Sequence, residues 1–312
     1  MNIGKALGGV ILSLVFLFVV GFVLQGAWSL TQNTGLFLGS ISSAVEIEKP
    51  TEVEKTPKSP APYRDWDVFE LNIEAESGVV VESSLFGTDK VLFKKNSHTI
   101  LPIASLTKLM TAVISIENYN LSKEIIVSQV AVDQEGELGV LELNKAMSVN
   151  DLLYITLIES SNHSAYALSE GMENQDFVRL MNEKARDIGM NGTAYTEPTG
   201  LSEKNVSTAD DLVKLAKYIL ANHPEIAQIS RIKEYDLNNY GLLKNTDELL
   251  GEVPGIVVSK TGFTLEAKGC LFLVINNYEE NDYLISVILG ADDKFSEMKK
   301  MIDWVSKAYK WQ

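Results

Sequence analysis

The stretch "PIASLTKLMTA" (residues 102–112) places a hydroxyl, Ser105, three residues before an ammonium, Lys108. At that spacing two side chains share one face of a helix. Leu106, Leu109, Met110 and Val113 recur at helical spacing, which predicts that the same segment turns toward a core. A lysine taken out of water holds its proton less tightly and can act as a base. A serine at a helix start has backbone N–H groups and the positive end of the dipole beside it. Together they make a nucleophile–base pair that needs no histidine. The pair also has an ordinary reading, in which Ser105 caps the helix and Lys108 extends to solvent.

Two further stretches bear on the choice. "ESSNHSAYAL" offers Ser160 and Asn162 at a helix junction, a hydroxyl for proton relay and an amide for a substrate carbonyl. "VVSKTGFT" offers Lys260, Thr261, Gly262 and Phe263 at the end of an expected strand. A cation and a hydroxyl there suit a carboxylate, and glycine permits close approach of another backbone. A strand edge also pairs with an extended peptide. Taken alone, each stretch reads first as something ordinary: loop polarity at Ser160–Asn162, and a surface lysine before a turn at Lys260. Glu197-Pro198 lies between them, either as a carboxylate that activates water or as a turn residue before proline.

The elements that must position these residues follow from periodicity. "GVVVESSLFGTDKVLFKKN" reads as two strands joined around Gly87-Thr88-Asp89. A helix starts near Ser105. "SVNDLLYITLIES" is helical with Ser148 as N-cap, and "HSAYALSEGM" and "DFVRLMNEKARDIGM" are further helices. "STADDLVKLAKYILANH" begins at a Ser207/Thr208 cap with acidic residues in its first turn. Three β-rich runs follow, "GIVVSKTGF", "GCLFLVINNY" and "DYLISVILGA", with "NNYEEND" as a hairpin connection, and then an amphipathic helix, "KFSEMKKMIDWVSKAYKW". Two strands, several helices, three strands and a helix make an α/β chain of α+β type: a mainly antiparallel sheet with a helical insert between its halves.

The 312 residues carry a formal net charge of −15, which argues against nucleic acid and against adhesion to anionic lipid through charge. The three histidines are scattered without metal-ligand spacing, so no metal or cofactor is expected. The one cysteine, Cys270, lies in a strand-like run and reads as a buried structural thiol. From Ala6 to Leu24 only Ser13 is polar, long enough for a single membrane-spanning helix, with Lys5 ahead of it on the cytoplasmic side. The expected organisation is a short cytoplasmic N-terminus (1–5), an anchor or cleaved signal peptide (6–30), a Pro/Glu/Lys-rich linker (31–64) and a folded domain (65–312) outside the cytoplasm. A linker of that composition reaches on the order of 70–100 Å.

In this order the three stretches form the S-x-x-K, serine–x–asparagine and K-T-G set of penicillin-binding proteins and β-lactamases. The chain resembles the low-molecular-mass penicillin-binding proteins, the D-alanyl-D-alanine carboxypeptidases, over residues 78–311. The resemblance implies a DD-peptidase/β-lactamase-like fold, with a five-stranded antiparallel sheet, flanking helices and an all-helical subdomain. It implies that Ser105 is the acylated nucleophile, Lys108 its base, Ser160 a proton relay and Asn162 a substrate-positioning amide. Lys260 and Thr261 would bind the substrate carboxylate beside Gly262. The N–H groups of Ser105 and Phe263 would form the oxyanion hole. Substrates would be peptidoglycan stem peptides ending in D-Ala-D-Ala, and β-lactams would bind covalently. Departures from the family pattern are Ser161 for glycine, His163 for aspartate, Lys294 for an arginine of some members, Glu197 for asparagine and Asn144 for glycine. They keep open a β-lactamase that uses Glu197, and a weakly active wall-binding or antibiotic-sensing protein.

Overall fold

The computed structural model describes residues 62–84, 88–172, 174–238, 240–277 and 282–311. The expected anchor (6–30), nearly all of the linker, Gly87 and most of the "NNYEEND" connection lie outside the described residues. Among the described residues no helix is long and apolar enough to cross a membrane.

The centre is a five-stranded antiparallel sheet. Its strands are β1 (Ser77–Ser84), β2 (Lys90–Lys95), β3 (Ile256–Thr264), β4 (Lys268–Asn276) and β5 (Asp282–Ala291), in the spatial order β3-β4-β5-β1-β2. The inner strands β4 and β5 and the Val79–Val81 run of β1 are apolar on both faces because both are covered, whereas β2, KVLFKK at the outer edge, is largely exposed. Val79, Val81, Phe272, Val274, Ile285 and Val287 face one core, shared with the helices of the insert. Val80, Leu271, Leu273, Ile275 and Ile288 alternate with them and face a second core, closed by Met298, Met301, Trp304 and Val305 of the C-terminal helix.

The insert between β2 and β3 holds the helices α1 (Thr107–Asn118), α2 (Val149–Ile158), α3 (Asn162–Ser169), α4 (Asn174–Asp187), α5 (Ala209–Asn222) and α6 (Pro224–Ser230); α7 (Lys294–Ala308) closes the domain. Ser148 and Thr208 cap α2 and α5 as expected, each accepting a backbone N–H three residues on. Asn144 stands in the left-handed region, with φ 62°, where glycine would otherwise be favoured.

The insert is not purely helical. Three short antiparallel pairs brace it: Leu101–Pro102 with Val206–Ser207, Glu124–Ile126 with Ala146–Ser148, and Glu234–Leu237 with Gly241–Lys244. Runs of two to four residues are too short to show a period. Pro62–Arg64, read from composition as the end of the linker, also forms a strand, paired with Tyr309–Trp311 after α7.

Candidate active site

Helix α1 is buried along its first nine residues, and Leu106, Leu109, Met110 and Val113 are all inaccessible to solvent. Ser105 sits just ahead of it, in the 3-10 turn Ala104–Leu106. Neither the turn nor the helix has a side-chain cap, so Ser105 is not spent on capping. Lys108 does not reach solvent either. Its side chain is fully buried, and Nζ donates to Ser105 Oγ (2.9 Å), Asn162 Oδ1 (2.6 Å) and the Thr199 carbonyl (2.6 Å). Burial lowers the Lys108 pKa from 10.5 to about 7, against the pull of the Glu197 carboxylate, which raises it. The base is therefore substantially neutral at ordinary pH.

β3 is an edge strand of the sheet and lies against this turn. Gly262 permits this close approach: a Cβ on it would meet the Ile103 carbonyl, the Ser105 nitrogen and Ala104 Cβ, each at 3.1 Å, and they would have to give by a few tenths of an ångström. Lys260, also buried, donates to Ser160 Oγ (2.6 Å) and to the Thr261 carbonyl (2.9 Å). Its pKa is held well below 10.5 by burial and by the like charge of Lys108, with Asp247 opposing. Burial gives Lys108 its low pKa, and Lys260 is itself disfavoured as a cation beside it. Two ammonium groups cannot share this unhydrated space at low cost.

Ser160 adopts φ 59°, a costly conformation for a residue other than glycine, at the junction of α2 and α3. It lines one cleft of about 290 Å³ with Ser105, Asn162, Thr246, Thr261, Gly262, Phe263 and Lys294. The eight residues singled out by motif are thus brought together, six of them on the cleft wall with Lys108 and Lys260 behind it. Thr246 carried no sequence signal; its hydroxyl lies 2.5 Å from that of Thr261. Lys294 enters from the first turn of α7, where its ammonium also covers the Phe295 ring at 4.7 Å.

The amide of Asn162 is already engaged at both ends. Its oxygen accepts from Lys108 and its nitrogen donates to the Glu135 carbonyl (2.6 Å). It orders the base and the 135–139 segment, so positioning a substrate carbonyl would require giving up the Glu135 bond.

The departures from the family pattern have local explanations. Ser161 caps α3 through the Ser164 N–H and donates to the Gly139 carbonyl (2.7 Å), and Gly139 leaves it room: a Cβ there would lie 2.3 Å from Ser161 Cβ. His163 is buried, with its ring nitrogens 3.0 Å and 3.1 Å from the carbonyls of Ala131 and Gly136, so it ties down the same segment. Cys270 is buried, and burial pushes its thiol up to about 12, which fits an inert structural thiol.

A family model described as D-alanyl-D-alanine carboxypeptidase matches residues 64–293. The chain belongs to this family of serine peptidases. It is similar to the D-alanyl-D-alanine carboxypeptidase DacF of Bacillus subtilis, 32% identical over 254 residues, a match covering 77% of this chain and 64% of DacF. The chain thus spans slightly less than two thirds of that relative. It is 36% identical over 222 residues to a D-alanyl-D-alanine endopeptidase of Haemophilus influenzae, covering 69% of this chain and 74% of that protein. Among solved structures it is similar to penicillin-binding protein D2 of Listeria monocytogenes in its cefotaxime-bound form, with TM-score 0.68 and 26% identity, covering 76% of this chain and 98% of that one. The DD-peptidase fold expected from the three motifs is the fold observed.

Proposed function

We propose that the protein is a serine-type D-alanyl-D-alanine carboxypeptidase that removes the terminal D-alanine from peptidoglycan stem peptides through an acyl-enzyme on Ser105. The observation that carries this reading is the fully buried Lys108 Nζ, 2.9 Å from Ser105 Oγ. Neutral Lys108 takes the Ser105 proton as Oγ attacks the carbonyl of the penultimate D-alanine. The N–H groups of Ser105 and Phe263 receive the developing oxyanion, a contribution of about 3–4 kcal/mol per donor in comparable sites. The peptide C–N bond then breaks, and the departing D-alanine amine takes a proton through the Ser160 hydroxyl, which Lys260 orients. Water attacks the ester in the reverse sense and frees Ser105. The substrate carboxylate is received by Thr261, Thr246 and Lys294 rather than by Lys260, which is buried against Ser160 behind the cleft wall; Lys294 replaces the two-pronged grip of an arginine by a single charge. Edge strand β3 pairs with the extended peptide.

A β-lactam amide stands in for the D-Ala-D-Ala bond, and we include covalent β-lactam binding at Ser105 in the reading. The penicillin-binding protein D2 of Listeria, in its cefotaxime-bound form, supports it. Purified protein should be labelled by fluorescent penicillin and should release D-alanine from a D-Ala-D-Ala-ending peptide. Ser105→Ala should abolish both, and the adduct should map to the tryptic peptide from Asn96 to Lys108. Labelling that survives in Ser105→Ala, or that maps to Ser160, sinks the assignment. A second reading is favoured by the relatives named endopeptidases. Cleavage of cross-linked muropeptide dimers in preference to the linear peptide would select it. We place the domain outside the cytoplasm on a single N-terminal anchor, on the strength of the apolar run from Ala6 to Leu24; intact mass of membrane-extracted protein tests whether that segment is retained.

A further inference from the structure

The Pro198–Gly200 turn touches α1 and the nucleophile turn with three successive backbone groups. The Pro198 carbonyl accepts from Thr111 Oγ1 on α1 (2.6 Å), and the Thr199 carbonyl accepts from Lys108 Nζ (2.6 Å). Gly200, at φ 87°, abuts the nucleophile turn so closely that a Cβ would fall 2.0 Å from the Ala104 carbonyl oxygen. Asn205 holds the entry to the turn, accepting from the Thr196 and Glu197 N–H groups and donating to the Glu197 carbonyl, and the Glu197 side chain holds the rest. Glu197 Oε2 accepts from the Thr199 N–H (2.6 Å) and hydroxyl (2.5 Å). Its Oε1 accepts from the N–H groups of Gly200 (2.7 Å) and Ser202 (3.4 Å) and from Asn205 Nδ2 (2.8 Å). Asn205, itself buried, also reaches Thr107 Oγ1 on α1 (3.2 Å).

We propose that Glu197 is a positioning residue for the base: its carboxylate locks the 197–202 turn so that the Thr199 carbonyl stays on Lys108 Nζ and Gly200 stays against the Ser105 turn. The inference rests on the reading of Ser105 and Lys108 as nucleophile and base. Every partner of the carboxylate is a donor, so both oxygens must accept. An amide at this position would point its own N–H groups at donors on one side and lose those bonds. With both oxygens filled by the turn, the carboxylate is occupied in holding the backbone, not in activating a water.

The charge matters as well as the shape. The charged groups bearing on Lys108 are Glu197 from the turn and Lys260 from β3, and Lys260 in turn feels Asp247 and Lys294. Glu197 is the one that favours protonated Lys108. Loss of its charge, and of the Thr199 carbonyl it holds in place, both make the ammonium form harder to keep. Both therefore move the acid limb of acylation in the same direction, to lower pH.

The test is the second-order rate of labelling of the full chain by fluorescent penicillin from pH 5 to 9, with acyl-enzyme breakdown and melting temperature measured in parallel. Glu197→Gln should lower the acid limb by about 0.5–1 pH unit, cut the plateau rate at least several-fold and slow breakdown by no more than it slows acylation. Glu197→Asp keeps the charge but is too short to span the Thr199 and Gly200 N–H groups; its plateau should fall, while its limb should move by less than that of Glu197→Gln. The Asp variant carries the test if Gln does not fold: a wild-type plateau in Glu197→Asp overturns the proposal. An unmoved limb in a folded Glu197→Gln protein whose rates fall equally at every pH also overturns it, in favour of a purely structural role. A loss of about 100-fold in breakdown with acylation intact overturns it in favour of water activation by Glu197. A wild-type protein that takes no label at any pH would overturn the Ser105–Lys108 reading itself and the inference with it.

Discussion

Lys108 is a large polar side chain with no access to solvent, and a buried lysine without a task is a liability. Its three acceptors compensate part of that cost: the Ser105 hydroxyl, the Asn162 amide oxygen and the Thr199 carbonyl. The remaining cost appears as the fall of its pKa to about 7. Below that pH Lys108 is protonated and cannot accept from Ser105; above it the lysine is neutral and can. Acylation by fluorescent penicillin should therefore rise about tenfold per pH unit below the limb and level off above neutrality. A rate that is flat from pH 5 to 8 would show that another group takes the proton. Lys108→Arg retains the charge but cannot release its proton, so it should lower acylation by at least about 100-fold at every pH. The opening motif was legible at this scale because its chemistry lies within four residues of sequence. Thr246, Asn205 and the Thr199 carbonyl were not, because each acts through a long-range contact or through backbone that has no residue-type signature.

At the scale of elements, the site is a meeting of one turn, one edge strand and one helix junction. The sequence predicts all three: α1 from its apolar periodicity, the α2–α3 junction from the Ser148 cap and the polar break at Ser160–Asn162, and β3 from its β-branched run. Their separation could not be read in the same way. Gly262 shows what sets it: β3 comes so close to Ala104 and Ser105 that any side chain would touch the nucleophile backbone. Ala104 takes a left-handed φ of 45° as the chain enters this turn, which leaves it little freedom to yield. In Gly262→Ala the new methyl would sit 3.1 Å from the Ser105 nitrogen, so the turn must shift by a few tenths of an ångström. That nitrogen is an oxyanion donor in the proposed mechanism. Acylation should fall by about tenfold or more while the circular dichroism spectrum stays that of the wild type. Gly262→Val should be worse than Gly262→Ala; an Ala variant with wild-type acylation would show that the strand has slack.

On the scale of the whole molecule, the described domain closes on itself far from the cleft. The sequence places a boundary at residue 65, because proline and mixed charge mark the residues before it as linker. The structure carries the fold back to Pro62, and the reason is Arg64. Its guanidinium lies 4.9 Å from the centre of the Trp304 ring and 5.8 Å from that of Tyr309, and it donates to the Val68 carbonyl at 2.7 Å. Trp304 Nε1 in turn donates to the Phe69 carbonyl, and the Tyr309 hydroxyl to that of Leu92, both at 2.8 Å. One arginine thus joins the first strand, the last helix and the central sheet, a role invisible to composition because a single arginine in a charged segment reads as solvated. Its side chain is only 9% exposed, so the ring contacts are largely desolvated. Arg64→Ala should cost roughly 1–3 kcal/mol, from the lost cation–ring contacts and from the carbonyl left without its donor. For a domain of this size that lowers the melting temperature by about 3–10 °C. Penicillin acylation measured well below the transition should stay within about two-fold of the wild type, because the cleft lies at the other edge of the sheet. A protein beginning at residue 65 should melt lower than one beginning at residue 59 by at least as much as the Arg64 variant, since it also loses the Pro62–Arg64 pairing with Tyr309–Trp311. Equal melting temperatures for those two fragments would show that the strand is carried by the domain without supporting it.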